Sequence, residues 1–310
     1  MSVEIAVIGP QRPFVLEALE REFTVHDAIA EPDKVAALRP AAARVRGVVT
    51  NAMTGLSANL IEALPELELC AVMGVGLETT DLVAARQRGI VVTTTPVLYD
   101  DVADLAVILA LCACRRIVQA DRFVRSGRWL QGRIAPARKF SGKRAGILGL
   151  GRIGTALAPR VAAFGLRVGY YDPLPKSGVP YRAYATPLEL AQNSDILFLC
   201  AAGQGAGHIV TADILDALGP EGVFVNVARG WLVDEPALVR ALVDGRLGAA
   251  GLDVFEDEPQ VPEALLGLDN VVLTPHIASN TEETMRAMGE CVLDNVRSWF
   301  AGKGAVTPVT

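Results

Sequence analysis

The sequence contains no CxxC pair, no HExxH and no Cys/His or carboxylate cluster of ligand spacing, so nothing in it points to a bound metal. Its five cysteines, Cys70, Cys112, Cys114, Cys200 and Cys291, are scattered and lie mostly within apolar runs. That usage implies buried free thiols in a reducing, cytoplasmic setting rather than a disulfide framework. No long basic tract is present, and the net charge is −6. The densest cationic stretch, Arg125, Arg128, Arg133, Arg138 and Lys139, reads as a solvated loop, which argues against a nucleic-acid partner. Membrane-length hydrophobic runs are missing too. The most apolar helix, Leu105 to Cys114, is bounded by Asp104 and Arg115 and is too short for a bilayer. The opening MSVEIAVIGP carries Glu4 and only a strand-length apolar run, unlike a secretory signal.

What is present is hydrophobic material for large cores: 51% of the 310 residues, a length that suits two domains. Short apolar strands and helical stretches alternate throughout. Val3–Ile8, Thr24–His26, Val45–Thr50, Leu69–Met73 and Ile90–Thr94 form a first set of strands. A long helix from Asp101 to Ser126 comes next, then a polar loop. A second set comprises Arg144–Leu148, Arg167–Tyr171, Ile196–Cys200, Val223–Val227, Ala249–Val254 and Val271–Thr274, and a final helix spans Glu282 to Phe300. Alternating βα units predict an α/β fold of two doubly wound parallel-sheet domains with right-handed crossovers. The first is flavodoxin-like, residues 1–98 with 280–310 returning to it. The second is a Rossmann domain, 99–279, and a cleft between the two is the expected active site.

The Rossmann assignment rests on AGILGLGRIG, Ala145 to Gly154. A strand runs into Gly149-x-Gly151-x-x-Gly154, a helix starts at Arg152, and a second strand ends at Asp172. Gly149 permits the tight turn, Gly151 lets a pyrophosphate approach the backbone, and Gly154 lets helix and strand pack closely. The helix start, including Arg152 and Ile153, offers amides and partial positive charge to the phosphates. The Asp172 carboxylate is placed to accept from the adenine ribose. Because it would repel a 2′-phosphate, NAD is favoured, with Lys176 near enough to admit NADP.

Ligands of open parallel sheets bind beyond the carboxyl ends of the strands. There, VFVNV is followed by Ala228-Arg229-Gly230, AAGLDV by Phe255 and Glu256-Asp257-Glu258-Pro259, and VVLTP by His276. Val227 and Ala228 are thereby cofactor candidates. An arginine can grip a substrate carboxylate through two hydrogen bonds. A histidine can deliver a proton near neutral pH, and a carboxylate on its other nitrogen favours the charged ring. The pattern suits a 2-oxo acid reduced to a 2-hydroxy acid, although residue types alone do not choose among Glu256, Asp257 and Glu258. Of the other two histidines, His208 reads as a helix cap and His26 as a surface residue.

GLGRIG, NVARGWLVDEPALVRAL, GLDVFEDEP and TPHIAS together resemble the D-isomer-specific 2-hydroxy acid dehydrogenase family. The segment FVRSGRW, Phe123 to Trp129, resembles its hydroxypyruvate, glyoxylate and hydroxyphenylpyruvate reductase branch. The resemblance implies Arg229 as substrate anchor, His276 as acid/base, Glu258 as its partner, Asp253 as a nicotinamide contact, and the Val75 and Gly76 amides as further substrate contacts. It also implies a homodimer, for which the long helix exposes an apolar stripe, and a loop around Trp129 able to reach the partner's site. A formate- or phosphonate-type dehydrogenase on the same scaffold, and a non-enzymatic NADH-sensing scaffold similar to co-repressors, are the competing readings.

Overall fold

A computed structural model of the chain describes residues 2–174, 176–202 and 207–309. The chain divides into two compact units, Met1–Leu98 with Asn280–Thr310, and Tyr99–Ser279.

In the first unit, β1 (Glu4–Val7), β2 (Thr24–Asp27), β3 (Val45–Asn51), β4 (Leu69–Met73) and β5 (Val91–Thr93) form a parallel sheet of order β2-β1-β3-β4-β5. The central strands are buried on both faces, which is why they read as continuous apolar runs instead of alternating ones. Ala6, Val48, Cys70 and Val72 pack on one side with Leu60, Ile61 and Ala85. Ile5, Val7, Val49 and Ala71 pack on the other with Val15 and Leu19, and with Val292, Leu293 and Val296 of the helix Glu282–Phe300. The C-terminal helix thus completes the core of the N-terminal sheet. Asn295, fully buried, fastens the segment beyond this helix by accepting the Val306 and Thr307 amides.

The second unit carries β6 (Arg144–Leu148), β7 (Arg167–Tyr171), β8 (Arg182–Ala183), β9 (Ile196–Leu199), β10 (Val223–Asn226), β11 (Ala249–Leu252) and β12 (Val271–Leu273). All are parallel, in the order β12-β11-β10-β9-β6-β7-β8. The strand order reverses between β6 and β9, the crevice at which open α/β sheets bind ligands. Leu197, Leu199, Phe224, Ala250 and Leu252 form its core with Ile214, Leu215, Leu238 and Leu242. The α/β fold expected from the sequence is what forms; β8, a two-residue exposed edge strand, has no apolar run to announce it.

The long helix is not continuous. It runs Tyr99–Arg115, breaks at Arg116 in the left-handed conformation (φ 52°), and restarts as Ile117–Arg125. The first part buries Val102, Ala106, Leu109 and Ala110, whereas the second buries nothing. His208 is exposed and no cap, since Thr211 precedes the next helix, Ala212–Leu218. His26 is half-buried rather than a surface residue, with Nε2 2.7 Å from Glu4 Oε2.

Candidate active site

The glycine loop occupies the β6–β9 switch point. Gly149 has φ +92°, and a Cβ there would come within 2.7 Å of the backbone of Ala201, the second residue after β9. A Cβ on Gly154 would collide with the Gly149 carbonyl oxygen, while one on Gly151 would meet nothing within 4 Å. Two glycines are therefore demanded by packing and the middle one faces open space. The helix Arg152–Ala163 begins at Gly151 without a side-chain cap, leaving first-turn amides for an anion. A cavity of about 640 Å³ lies over this start, lined by Tyr99, Leu150, Gly151, Arg152 and Lys176 among others. The Arg152 guanidinium stacks over the Tyr99 ring and donates to its hydroxyl; Ile153 is half-buried beside it.

Asp172, at the end of β7, is tied to the same loop. Its Oδ2 accepts the Leu150 amide at 2.9 Å and its Oδ1 the Leu174 amide at 2.9 Å, with Lys176 Nζ 3.5 Å away. These residues fit a dinucleotide: an uncapped helix start for the pyrophosphate, and a carboxylate and an ammonium side by side near the ribose position. Cys200 comes after β9 but is chemically quiet, because burial pushes its thiol up to about 12.

Three further turns leave the neighbouring strands β10, β11 and β12 on the same edge, and they are laced together by backbone. After β10, Asn226 fixes its turn from both ends of its amide: Oδ1 accepts the Ala228 N–H and Nδ2 donates to the Arg229 carbonyl, each at 3.0 Å. Val227 and Ala228 are buried there, and Arg229 is half-buried with Nη1 donating to the Ala228 carbonyl. Gly230 lies so close to the next turn that a Cβ would strike the Phe255 carbonyl. After β11, the Phe255 amide donates to Glu258 Oε1 at 3.1 Å, and the Glu256 amide donates to Glu235 Oε1 at 3.1 Å. Burial raises the Glu235 carboxyl, and the charges of Glu256 and Asp257 add to the rise. After β12, His276 Nδ1 lies 2.7 Å from the other Glu258 oxygen, Oε2.

Of the three acids in this turn, Glu258 is thus the one that meets the histidine. His276 has φ +53°, an unusual backbone for a residue with a side chain, costing about 1–3 kcal/mol. Asp253, directly after β11, is wholly buried. Its carboxylate accepts Thr274 Oγ1 and the Ile277 and Ala278 amides. Burial raises its pKa, opposed by those hydrogen bonds and by the His276 charge.

In the first unit, Val75 and Gly76 come after β4. The turn is fixed by the Gly74 amide donating to Thr95 Oγ1 at 2.8 Å, and neither the Val75 nor the Gly76 amide bonds to a described residue. Asn226, Thr274, Glu235 and Tyr99 carry structure in these sites that motif reading did not assign to them. The signal was a small polar residue at the end of an apolar strand for Asn226 and directly after one for Thr274. Tyr99 and Glu235 gave none.

Residues 107–278 match the family described as D-isomer specific 2-hydroxyacid dehydrogenase, NAD binding domain. The chain is 46% identical to a glyoxylate/hydroxypyruvate reductase A of Arabidopsis thaliana, over 99% of both chains. It is 45% identical to the hydroxyphenylpyruvate reductase of Plectranthus scutellarioides, again over 99% of both. A solved NADPH-dependent glyoxylate/hydroxypyruvate reductase from Sinorhizobium meliloti, in complex with NADP and malonate, superposes with TM-score 0.94 at 41% identity, covering 100% of this chain and 97% of that one. With the glycine loop at the switch point and the arginine, glutamate and histidine turns beside it, the chain belongs to the D-isomer-specific 2-hydroxyacid dehydrogenase family.

Proposed function

We propose that this chain reduces a small 2-oxo acid, of the glyoxylate, hydroxypyruvate or aryl pyruvate type, to the D-2-hydroxy acid with NADH or NADPH. The observation that carries the proposal is the 2.7 Å contact of His276 Nδ1 with Glu258 Oε2 on the strand edge that also bears Arg229. Glu258 occupies Nδ1 and orients the ring, which leaves Nε2 to carry the transferable proton. A hydroxy-acid product needs that proton. Formate oxidation does not, and a pure cofactor sensor has no use for the pair.

In this reading Tyr99–Ser279 binds the dinucleotide through Gly149, Gly151, Arg152, Ile153, Gly154, Asp172, Val227 and Ala228. The Arg229 guanidinium takes the substrate carboxylate, and in the other unit the Val75 and Gly76 amides are the candidate substrate contacts. The bound reduced nicotinamide supplies the hydride to C2. Arg229 orients the carboxylate and polarises the carbonyl, and His276 Nε2 protonates the new alkoxide oxygen. Asp172 suits ribose hydroxyls, so NADH is the favoured cofactor, and Lys176 beside it leaves room for NADPH.

The proposal includes a homodimer. Ile117–Arg125 buries none of its residues, and Trp129 and Leu130 beyond it are 66% and 94% exposed, an apolar surface suited to a two-fold contact. It also includes a cytoplasmic setting, consistent with free cysteines and with no helix of the described residues being long and apolar enough to cross a membrane.

The test is a panel of 2-oxo acids assayed for oxidation of NADH and of NADPH. Consumption of reduced cofactor with at least one of them is expected. Tight NADH binding without oxidation by any would refute the enzymatic reading.

A further inference from the structure

The strand β10 reads Val-Phe-Val-Asn, and its last residue, Asn226, is 2% exposed, with Leu199 and Leu252 as its register partners on β9 and β11. A carboxamide in such a place costs free energy unless its polar atoms are paired. Asn226 pairs them within its own turn. Oδ1 accepts the Ala228 amide and Nδ2 donates to the Arg229 carbonyl, each at 3.0 Å. Its main-chain carbonyl accepts the Asp253 amide at 3.0 Å, which ties the turn to the neighbouring strand edge.

These bonds fix the backbone from which the Arg229 side chain sets out. Arg229 is extended there, with φ −144° and ψ 145°. The residue after it is locked as well, since a Cβ on Gly230 would strike the Phe255 carbonyl. Arg229 stands between the two fixtures, with Nη1 donating to the Ala228 carbonyl at 2.8 Å. An arginine side chain is long and rich in rotamers, so a small shift of its backbone is magnified at the guanidinium. A carboxamide suits the bracket because it carries a donor and an acceptor on one flat head. A carboxylate offers acceptors alone, and a hydroxyl is a single atom that cannot stand at both places.

We infer that Asn226 is a positioning residue for Arg229, setting the backbone of residues 228 and 229 so that the guanidinium meets the carboxylate of the 2-oxo acid squarely. It acts through Arg229 and needs no contact with substrate. The inference rests on the reading of Arg229 as the substrate anchor. A two-bond grip of guanidinium on carboxylate depends on alignment of the two planar groups, and a tilt forfeits one of the bonds.

The experiment is a double-mutant cycle on the full-length chain. It comprises Asn226→Ala, Arg229→Ala and the two together, with Asn226→Asp as a second variant of nearly unchanged shape. At saturating NADH, kcat and KM are measured for glyoxylate, hydroxypyruvate or phenylpyruvate, whichever turns over fastest. Fluorescence titration gives NADH affinity. The NMR signal of the Arg229 Nε–H, assigned by its loss in Arg229→Ala, reports on the guanidinium itself. Asn226→Ala is expected to lower kcat/KM about 10²-fold, as misplacement of a substrate-orienting group by roughly 1 Å does. KM should rise, the Nε–H signal should shift or broaden, and NADH affinity should change little. In the Arg229→Ala background the same substitution should cost almost nothing further, because no guanidinium is left to place. Asn226→Asp keeps the acceptor for the Ala228 amide and removes the donor to the Arg229 carbonyl. It should lower kcat/KM roughly tenfold, the cost of leaving one buried carbonyl unpaired.

Losses that multiply in the double variant overturn the inference, because an effect independent of the guanidinium is general support of the fold. An Nε–H signal unmoved in Asn226→Ala overturns it too, as does a fall in NADH affinity equal to the fall in kcat/KM. If Asn226→Ala does not fold, Asn226→Asp decides: unchanged kcat/KM and an unmoved signal overturn it. An unsubstituted chain that turns over none of the three acids sinks the proposed function alone, because the Nε–H signal still reports whether Asn226 positions the guanidinium.

Discussion

His276 and Glu258 meet at 2.7 Å, Nδ1 to Oε2, although they leave different strands and His276 holds a left-handed backbone to do so. Glu258 accepts the Phe255 amide on its other oxygen, so the carboxylate is held from both sides. Replacing His276 by Ala removes the proton donor and should lower kcat about 10²–10⁴-fold with NADH affinity little changed. Steady-state kinetics beside a fluorescence titration checks it, and near-normal turnover would contradict the role of the imidazole.

Glu258→Gln keeps the shape but removes the charge facing the ring. A hydrogen bond to a charged group is worth about 1.5–3 kcal/mol, so kcat should fall roughly 10- to 150-fold. Steady-state kinetics checks it, and a kcat equal to that of the parent enzyme would show that Glu258 only packs.

The glycine loop makes a paired prediction. Gly154→Ala drives a Cβ into the Gly149 carbonyl, and such overpacking costs about 1–3 kcal/mol of stability. Gly151→Ala meets nothing within 4 Å and should melt like the parent while losing NADH affinity, because the added methyl occupies the pyrophosphate approach. Thermal melting and NADH titration of both variants separate the two effects. Equal melting losses would mean that Gly151 is also a packing glycine.

Much of this arrangement is legible in sequence because parallel α/β sheets simplify the reading. Strands buried on both faces are short apolar runs, and the residues directly after them land on one edge, so Arg229, Glu258 and His276 could be grouped without coordinates. The choice of Glu258 over Glu256 and Asp257 came from family spacing alone, since all three carboxylates lie beyond the same strand. The break at Arg116 left no trace because no glycine or proline marks it. The apolar face of Tyr99–Arg115 simply ends, and the next residues turn outward. The fixing of the His276 turn by Asp253 was hidden for another reason: a buried carboxylate announces neither its burial nor which amides point at it.

Asp195, directly before β9, accepts the Arg144 amide at 2.7 Å and Arg144 Nη2 at 2.8 Å, pinning the start of β6 beside β9. Burial alone would raise the Asp195 carboxyl, but the hydrogen bonds and charge of Arg144 outweigh it and hold the pKa below the ordinary range. A depressed folded-state pKa gives stability that is present above the unfolded value, about 3.9, and lost as pH falls through the lower folded value. Both side chains are about a third exposed, 40% and 30%, so solvent screening limits the pair to about 1 kcal/mol. Asp195→Asn should therefore be less stable than the parent by about that amount at neutral pH, and the gap should close in acid below the carboxylate range. Urea unfolding of both proteins across this interval measures it. A gap that stayed constant with pH would assign the loss to the shape of the turn instead of to the charge.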